Sequence, residues 1–295
     1  MAGGQERTLR RRIKSVQATR KITKAMELIA ASQIGRAQSR IVANRPYRAG
    51  MRRVVLEAAQ GDPAAAGALL GEPESVTCAV VVAIVGDRGL SGAYNSSVLR
   101  ATERLVVDLQ SKGVQVRLIA VGKKSLAYFR FRGLTVERQF QGFADRPSFA
   151  DARPVAAAAA APFVSGEAQQ VLLVSTEFRS SSSQGVTTRQ LLPLVVEAHD
   201  DAPGELKGYT EFEPEVATLL QELAPKALES EVFTALLEGA ACFHTSQQRA
   251  MAAATDNADE LSRTLRRTMN RVRQDSITTE IMEIVGGAEA LRSGK

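Results

Sequence analysis

Apolar side chains recur every three or four residues near the start of the chain, between about Glu6 and Gln60. The recurring set is Leu9, Ile13, Val16, Ile22, Met26, Ile29, Ile34, Ala37, Ile41, Met51, Val54 and Val55. This spacing places one apolar stripe along a helix, so it predicts a long amphipathic helix. The sequence Gly61-Asp62-Pro63 follows, and such a combination ends helices.

The other end of the chain has the same spacing. Pro214 stands at a first helical position, and a short amphipathic helix is expected from there to Pro225. From Lys226 the helical pattern is uninterrupted until Gly286. Its apolar seam is Met251, Ala254, Ala258, Leu261, Leu265, Met269 and Val272. A helix of that length is roughly 90 Å long, so we expect it to pack antiparallel against the N-terminal helix as a coiled coil.

Strands and helices alternate between these two ends. Continuous β-branched runs at 78–85, 114–121 and 170–175 predict buried strands, and the segments 96–112, 123–130 and 155–161 have helical composition. The fold class is therefore α/β, with a Rossmann-like α/β domain inserted into a long antiparallel coiled coil of the N- and C-terminal helices. The expected parts are an N-terminal coiled-coil helix (1–60), a central α/β domain (76–208) and C-terminal helices (209–295).

Charge is divided unevenly along the chain. Between Met1 and Arg53 the only acidic residues are Glu6 and Glu27, whereas between Glu197 and Glu222 the only basic residue is Lys207. The formal net charge is +6. A basic region and an acidic region on one molecule indicate two different partners or faces.

Composition argues against several classes of protein: disulfide-rich, metal-binding, membrane-spanning and secreted. Two cysteines far apart in sequence provide neither a disulfide framework nor metal-ligand spacing. No apolar run approaches the roughly 18 residues of a membrane span, and no signal-peptide core precedes the first helix. These features are typical of a bacterial cytoplasmic protein.

The loop Gly86–Gly92 follows the first predicted strand and precedes a helix, where doubly wound folds bind phosphate. Its glycine spacing is G-x-x-G-x-x-G, which matches neither the dinucleotide fingerprint nor a P-loop. The histidines, His199 and His244, lie in different zones, so a histidine-dependent catalytic site is not indicated. Two alternatives stay open: a nucleotide-binding α/β protein, and a nucleic-acid-binding protein with a basic helical arm.

Specific motifs along nearly the whole chain resemble one family, the gamma subunit of the F-type rotary ATP synthase in its bacterial form. The matching segments are 12–27, 30–32, 45–47, 87–95, 190–194, 212–214, 250–258, 277–280 and 287–288. Departures are Ser91 where many members have Cys, Ala252 where Lys is common, and the unfamiliar segment 241–245. No cysteine pair like that of the chloroplast redox switch is present in the central domain.

The resemblance implies a central rotor shaft that couples proton flow through a membrane ring to ATP synthesis at the alpha/beta catalytic head. It implies no catalytic site, no cofactor and no nucleic acid. The implied partners are the alpha and beta subunits, the epsilon subunit and the c-subunit ring. The implied location is peripheral to the cell membrane on its cytoplasmic side.

The resemblance also implies partner-contact residues. Lys24 and Met26 would face moving loops of the beta subunit, and the acidic residues Glu211 and Glu213 would face the ring. A third set would contact the upper part of the catalytic head, and it comprises Arg273, Gln274, Thr278 and Glu280. The first two and Glu280 are expected to share one helix face, with Thr278 off its edge, and the alternative is that this face is only solvated. Beyond this set, Ile277, Ile281 and Ile284 form an apolar helix tip that needs a partner to cover it.

Overall fold

The computed structural model describes residues 2–62, 66–69, 71, 73–194 and 212–293. The helices are α1 (Ala2–Gly61), α2 (Tyr94–Ser111), α3 (Lys123–Phe131), α4 (Phe149–Val164) and α5 (Val216–Ser293), with a short 3-10 helix at Gly67–Leu69. The strands are β1 (Cys78–Ile84), β2 (Gln115–Val121), β3 (Val136–Phe140), β4 (Gln170–Phe178) and β5 (Gln184–Leu192). The protein is therefore a mixed α/β chain with one five-stranded sheet and a long C-terminal helix.

The strands lie in the order β3-β2-β1-β4-β5. The first four are parallel to one another, as the alternation of strands and helices predicts, whereas β5 pairs antiparallel with β4. Strands β3 and β5 were not predicted from the sequence because neither is a continuous apolar run. Most residues of both strands are only partly buried, which is typical of strands at the edges of a sheet.

Strand β1 is apolar at every position because both of its faces are covered. Its residues 78, 80, 82 and 84 pack against α4 and the part of α5 around Val232. Its residues 79, 81 and 83 pack against α2 and α3. Since successive side chains of a strand point to opposite faces, a strand buried on both sides cannot alternate apolar with polar residues.

The chain divides into two compact units, and α1 and α5 contribute to both. Unit 1 comprises 1–30 with 248–295, and unit 2 comprises 31–247. In unit 2 the segment Thr234–Thr245 of α5 is buried at every position. One side of α5 contacts the sheet through Val232 and Leu236, and another contacts Ala37 and Ile41 of α1 through Leu237 and Ala241.

In unit 1, α1 and α5 run in opposite directions where they touch. The hydroxyls of Thr23 and Thr255 are 2.8 Å apart. Arg20 forms an ion pair of 2.5 Å with Asp259, so a step back along α1 is a step forward along α5. Within unit 2 the order is also reversed, since Asn44 donates to Thr234 and Arg48 to Glu231.

Two features of the predicted apolar seams are wrong. Ile22 and Ile29 are 60% and 61% exposed, and the buried positions beside them are Thr23 and Ala30. On α5, Leu261 is 48% exposed while Ser262 is buried. Hydroxyl side chains fit this seam because they are small and because their hydroxyls find acceptors, as Thr255 does at the Met251 carbonyl. A search for large apolar residues does not detect such positions.

The expected helix boundaries near Pro225 and Gly286 are also wrong. Helix α5 begins at Val216, includes Pro225 and continues past Gly286 to Ser293. A proline in a helix removes one backbone hydrogen bond, but the adjoining residues Leu220 and Leu228 are buried and hold the helix in place. The interior of α5 therefore tolerates residues that usually end helices.

A substitution at Gly122 tests how closely the end of β2 approaches the residue that follows β1. The φ of Gly122 is +93°, and a Cβ there would lie 2.1 Å from the Val85 carbonyl oxygen. We expect Gly122→Ala to lower the free energy of unfolding by about 3–5 kcal/mol, since backbone atoms would have to shift. Gly113→Ala is the matched control, because Gly113 has a φ of +78° but no atom within 4 Å of the position that a Cβ would take.

The control should lose only about 1–2 kcal/mol, the ordinary penalty of a left-handed backbone. Denaturant unfolding of both variants measures the difference. Equal losses for the two alanines would show that the close approach of Gly122 to the end of β1 is not a real constraint.

Candidate partner-binding surfaces

Hydrogen bonds to the Asn95 side chain fix the conformation of the loop Gly86–Gly92. The Gly86 amide donates to the Asn95 side-chain oxygen at 2.8 Å, and the Asn95 amide group donates to the Arg88 carbonyl at 2.9 Å. Leu90 has a positive φ of 63°. The loop thus has a fixed conformation without a ligand.

Asp87 lies in this loop and binds the N-terminus of α3, the helix that follows β2. One oxygen of its carboxylate accepts the amide of Lys123, the first residue of α3. The other oxygen accepts the amides of Gly142 and Ala144, both at 3.0 Å. A helix N-terminus attracts anions, and here the protein provides the anion itself. These amides are therefore not free to bind an anion, and because the glycine spacing of the loop also fits no phosphate motif, we expect no nucleotide binding of high affinity.

Lys24 is exposed on α1 in unit 1, and Met26 lies on the opposite flank of the helix, about 160° away. The Lys24 ammonium is 2.9 Å from the Glu27 carboxylate. Met26 is partly buried and shares a face within about 60° with the exposed side chains of Ile22 and Ile29, at about 100° per residue. Both isoleucines were expected in the helix seam, so this apolar surface was not foreseen from the sequence. Their exposure is the signal that identifies it.

Arg273, Gln274, Thr278 and Glu280 are all exposed on α5. They do not form one surface. Gln274 and Thr278 are one turn apart, and the Thr278 hydroxyl donates to the Gln274 carbonyl at 3.0 Å. Arg273 and Glu280 are two turns apart on another side, about 100° away. The predicted contact set therefore has two faces.

The end of α5 extends beyond α1. Continuing the antiparallel order from Arg20 to Ala2 reaches about residue 277 of α5, and burial within α5 ends at Ser276. Beyond that point the exposed apolar residues are Ile277, Ile281, Met282, Ile284 and Val285. At 1.5 Å per residue the overhang is roughly 24 Å long. This apolar tip is a surface that requires a partner.

The acidic zone is described only in part. Glu213 is exposed, just before α5 begins. Glu211 lies outside the described residues, as do the other acidic positions between 195 and 211. Among the residues that the structure describes, no group of His, Cys, Asp or Glu has an arrangement suited to a metal ion. Nor does any helix in the described ranges combine the length and apolar character that crossing a bilayer requires.

Two partly buried ion pairs in unit 2 were not foreseen from the sequence. Arg189 of β5 donates to Glu238 of α5 at 2.6 Å, and Arg48 of α1 forms two bonds of 2.8 Å with Glu231 of α5. Burial raises the pKa of Glu238, and Arg189 opposes that rise. These groups line a polar cavity of about 400 Å³ between α1, β5 and α5. Paired charges in this position fasten three elements together, since removing one partner would leave the other buried and unpaired.

Comparison with known proteins identifies the family. The ATP synthase family model matches residues 5–291. An ATP synthase gamma chain from Parafrankia sp. (strain EAN1pec) is 46% identical over 297 residues, covering 99% of both chains. That match decides the family. The chain belongs to the ATP synthase gamma chain family.

Other relatives agree with this assignment. The gamma chain of Acidothermus cellulolyticus is 44% identical over 294 residues, covering 98% of each chain. A chain in the Euglena gracilis mitochondrial ATP synthase structure (OSCP/F1/c-ring, rotational state 3) has a TM-score of 0.65 at 20% identity and covers 99% of this chain and 96% of that one. A chain of the Tetrahymena thermophila mitochondrial ATP synthase central stalk and c-ring has a TM-score of 0.60 at 22% identity, covering 79% and 99%. These structural matches show that the fold is shared.

Proposed function

We propose that the chain is the central rotor shaft of a bacterial ATP synthase, which couples proton flow through a membrane ring to ATP synthesis at a catalytic head. The observation that carries the proposal is membership of the gamma chain family over nearly the full length of both chains. The apolar tip of α5 agrees with it, because a shaft end held in a protein collar needs apolar cover.

The two long helices are the mechanical part of this proposal. Their contacts at Thr23–Thr255 and Arg20–Asp259 in unit 1 belong to an antiparallel coiled coil. Helices transmit force well because their backbone hydrogen bonds lie within the element itself. The division into an N-terminal helix (1–60), a central α/β domain (76–208) and C-terminal helices (209–295) follows from the same proposal.

The partners are the alpha and beta subunits of the head, the epsilon subunit and the c-subunit ring. Basic residues of α1, including Lys24, face acidic loops of the head, and the acidic residues Glu211 and Glu213 face the ring. The chain itself is non-catalytic, and its place is the cytoplasmic side of the cell membrane, bound through the complex. The Euglena and Tetrahymena assemblies, which are described as including F1, the central stalk and the c-ring, support these partners.

Co-purification tests the function directly. The tagged chain is expressed in a bacterium that lacks its own gamma gene, and detergent-solubilised membranes are passed over the affinity resin. We expect a large ATPase containing alpha and beta subunits to elute with the chain. Recovery of the chain without these subunits, from cells in which they are present, would refute the proposal.

Met26→Lys tests the exposed face of α1. The lysine would lie between Ile22 and Ile29, where its ammonium can reach an acidic loop of a surrounding subunit. Because Met26 is only partly buried, we expect the variant to fold and assemble. Ion pairing that must break during each step should raise the barrier to rotation by about 1–3 kcal/mol per step and so weaken the coupling of ATP hydrolysis to proton pumping.

The measurement is the ratio of protons pumped to ATP hydrolysed in membrane vesicles, with Met26→Leu as the control that keeps volume and polarity. We expect a lower ratio for the lysine variant alone. A normal ratio in assembled Met26→Lys complexes would rule out a role for this face.

The double variant Gln274→Ala with Glu280→Ala tests the polar faces near the end of α5. Both side chains are exposed, so we expect the isolated chain to melt at its usual temperature. If these groups bond to a surrounding subunit, ATP synthesis in membranes should fall, by about tenfold for each 1.4 kcal/mol of lost interaction. Unchanged assembly and synthesis would show that both faces are merely solvated.

A further inference from the structure

A small cavity in unit 2 lies between α1, α5 and the loop that joins β3 to α4. Its volume is about 120 Å³. The polar residues that line it are Gln33, Arg36, Arg40, Asp145, Arg146 and His244. His244 belongs to the segment 241–245, which departs from the pattern that the family resemblance leads one to expect.

The tautomer of His244 follows from its hydrogen bond. Its Nε2 lies 3.2 Å from the backbone carbonyl oxygen of Asp145. A carbonyl can only accept, so Nε2 carries the proton and Nδ1 of the neutral ring presents a lone pair. The ring is 8% exposed, and Nδ1 is buried without a hydrogen-bond partner.

Asp145 presents a second acceptor in the same place. One oxygen of its carboxylate is 3.0 Å from the Arg88 side chain, whereas the other is buried without a hydrogen-bond partner. Two unpaired acceptors thus belong to residues that line one cavity. A buried acceptor without a donor is costly, and a proton on either residue converts an acceptor into a donor.

The charges around the pair decide how readily a proton enters. Arg36 and Arg40 of α1, Arg88 after β1 and Arg146 of the joining loop are cationic, and Asp87 adds a negative charge near Asp145. Burial lowers the pKa of His244 below its ordinary value, and Arg146 and Arg88 add to this effect while Asp145 opposes it. Burial raises the pKa of Asp145, which Arg88 opposes.

We propose that His244 and Asp145 form an acid-sensitive clasp that fastens α5 to the loop between β3 and α4. On acidification a proton from solvent enters the pair, and its effect depends on the residue that it occupies. On His244 it puts a desolvated cation among four arginines. On Asp145 it removes a desolvated negative charge and turns the unpaired oxygen into a donor, at the cost of the attraction to Arg88, so part of the lost stability returns. The same loop is tied to α1 by Arg40, which donates to the Pro147 carbonyl, so the clasp acts at a junction of three elements.

The dependence of stability on pH follows from the lowered pKa of His244 and the raised pKa of Asp145. The unfolded chain protonates histidine near pH 6.5 while native His244 resists, so native stability falls as pH drops below about 6.5. Native Asp145 takes its proton at a higher pH than the unfolded chain does, so part of that stability returns as pH falls towards about 3.9. The clasp is therefore weakest between these two values.

The test uses the full chain labelled with ¹³C and ¹⁵N in its histidine rings. The chain has only two histidines, so His199→Gln leaves one ring signal, which belongs to His244. We expect that signal to titrate below about pH 6.5, and its ¹⁵N shifts at neutral pH to show the proton on Nε2. Asp145→Asn should lower the His244 pKa further, because the favourable carboxylate is lost.

Hydrogen exchange supplies the mechanical readout. Protection of the amides at 142–148 should fall by up to about tenfold for each pH unit over which native His244 resists the proton. His244→Gln should remove this loss, since glutamine keeps a donor for the Asp145 carbonyl but does not titrate. A His244 pKa at or above about 6.5, no response to Asp145→Asn, or the same acid-dependent loss of protection in His244→Gln would each overturn the proposal.

Discussion

The burial of one helical segment on all of its sides is the constraint on which unit 2 depends. From Thr234 to Thr245 every residue of α5 is buried, because the sheet covers one side of the helix and α1 covers another. A helix that is buried all round needs small residues where it touches its neighbours, and Ala235, Ala240 and Ala241 provide them. Polar residues are admitted only with partners, as Glu238 is by Arg189.

The parts of the fold that burial alone determines could be predicted from the sequence. The apolar run at Cys78 must lie between two covered faces, and its neighbours at Val114 and Gln170 follow the same rule. The two long helices at the ends of the chain could also be predicted, from the spacing of their apolar residues. Residues that usually end helices were less informative about where the helices end. Pro225 and Gly286 usually end helices, yet packing on either side of Pro225 outweighs its local preference.

The surfaces were harder to predict because exposure is a property of the packed molecule. Ile22 and Thr23 are neighbours in sequence, and only the packing of α1 on α5 shows that the threonine faces inward. Arg273 and Gln274 illustrate the same limit, since adjacent residues of a helix point about 100° apart. Long-range polar contacts, such as that of His244 with Asp145, have no periodic signal at all.

The carboxylate of Asp87 has a consequence for how the central domain meets its surroundings. The three amides that it binds would otherwise be available to any phosphate at the end of the sheet. A subunit of an enzyme that turns over adenine nucleotides works where such anions are abundant. Because the anion at these amides is a side chain of the protein itself, this part of the central domain needs no bound phosphate to satisfy them.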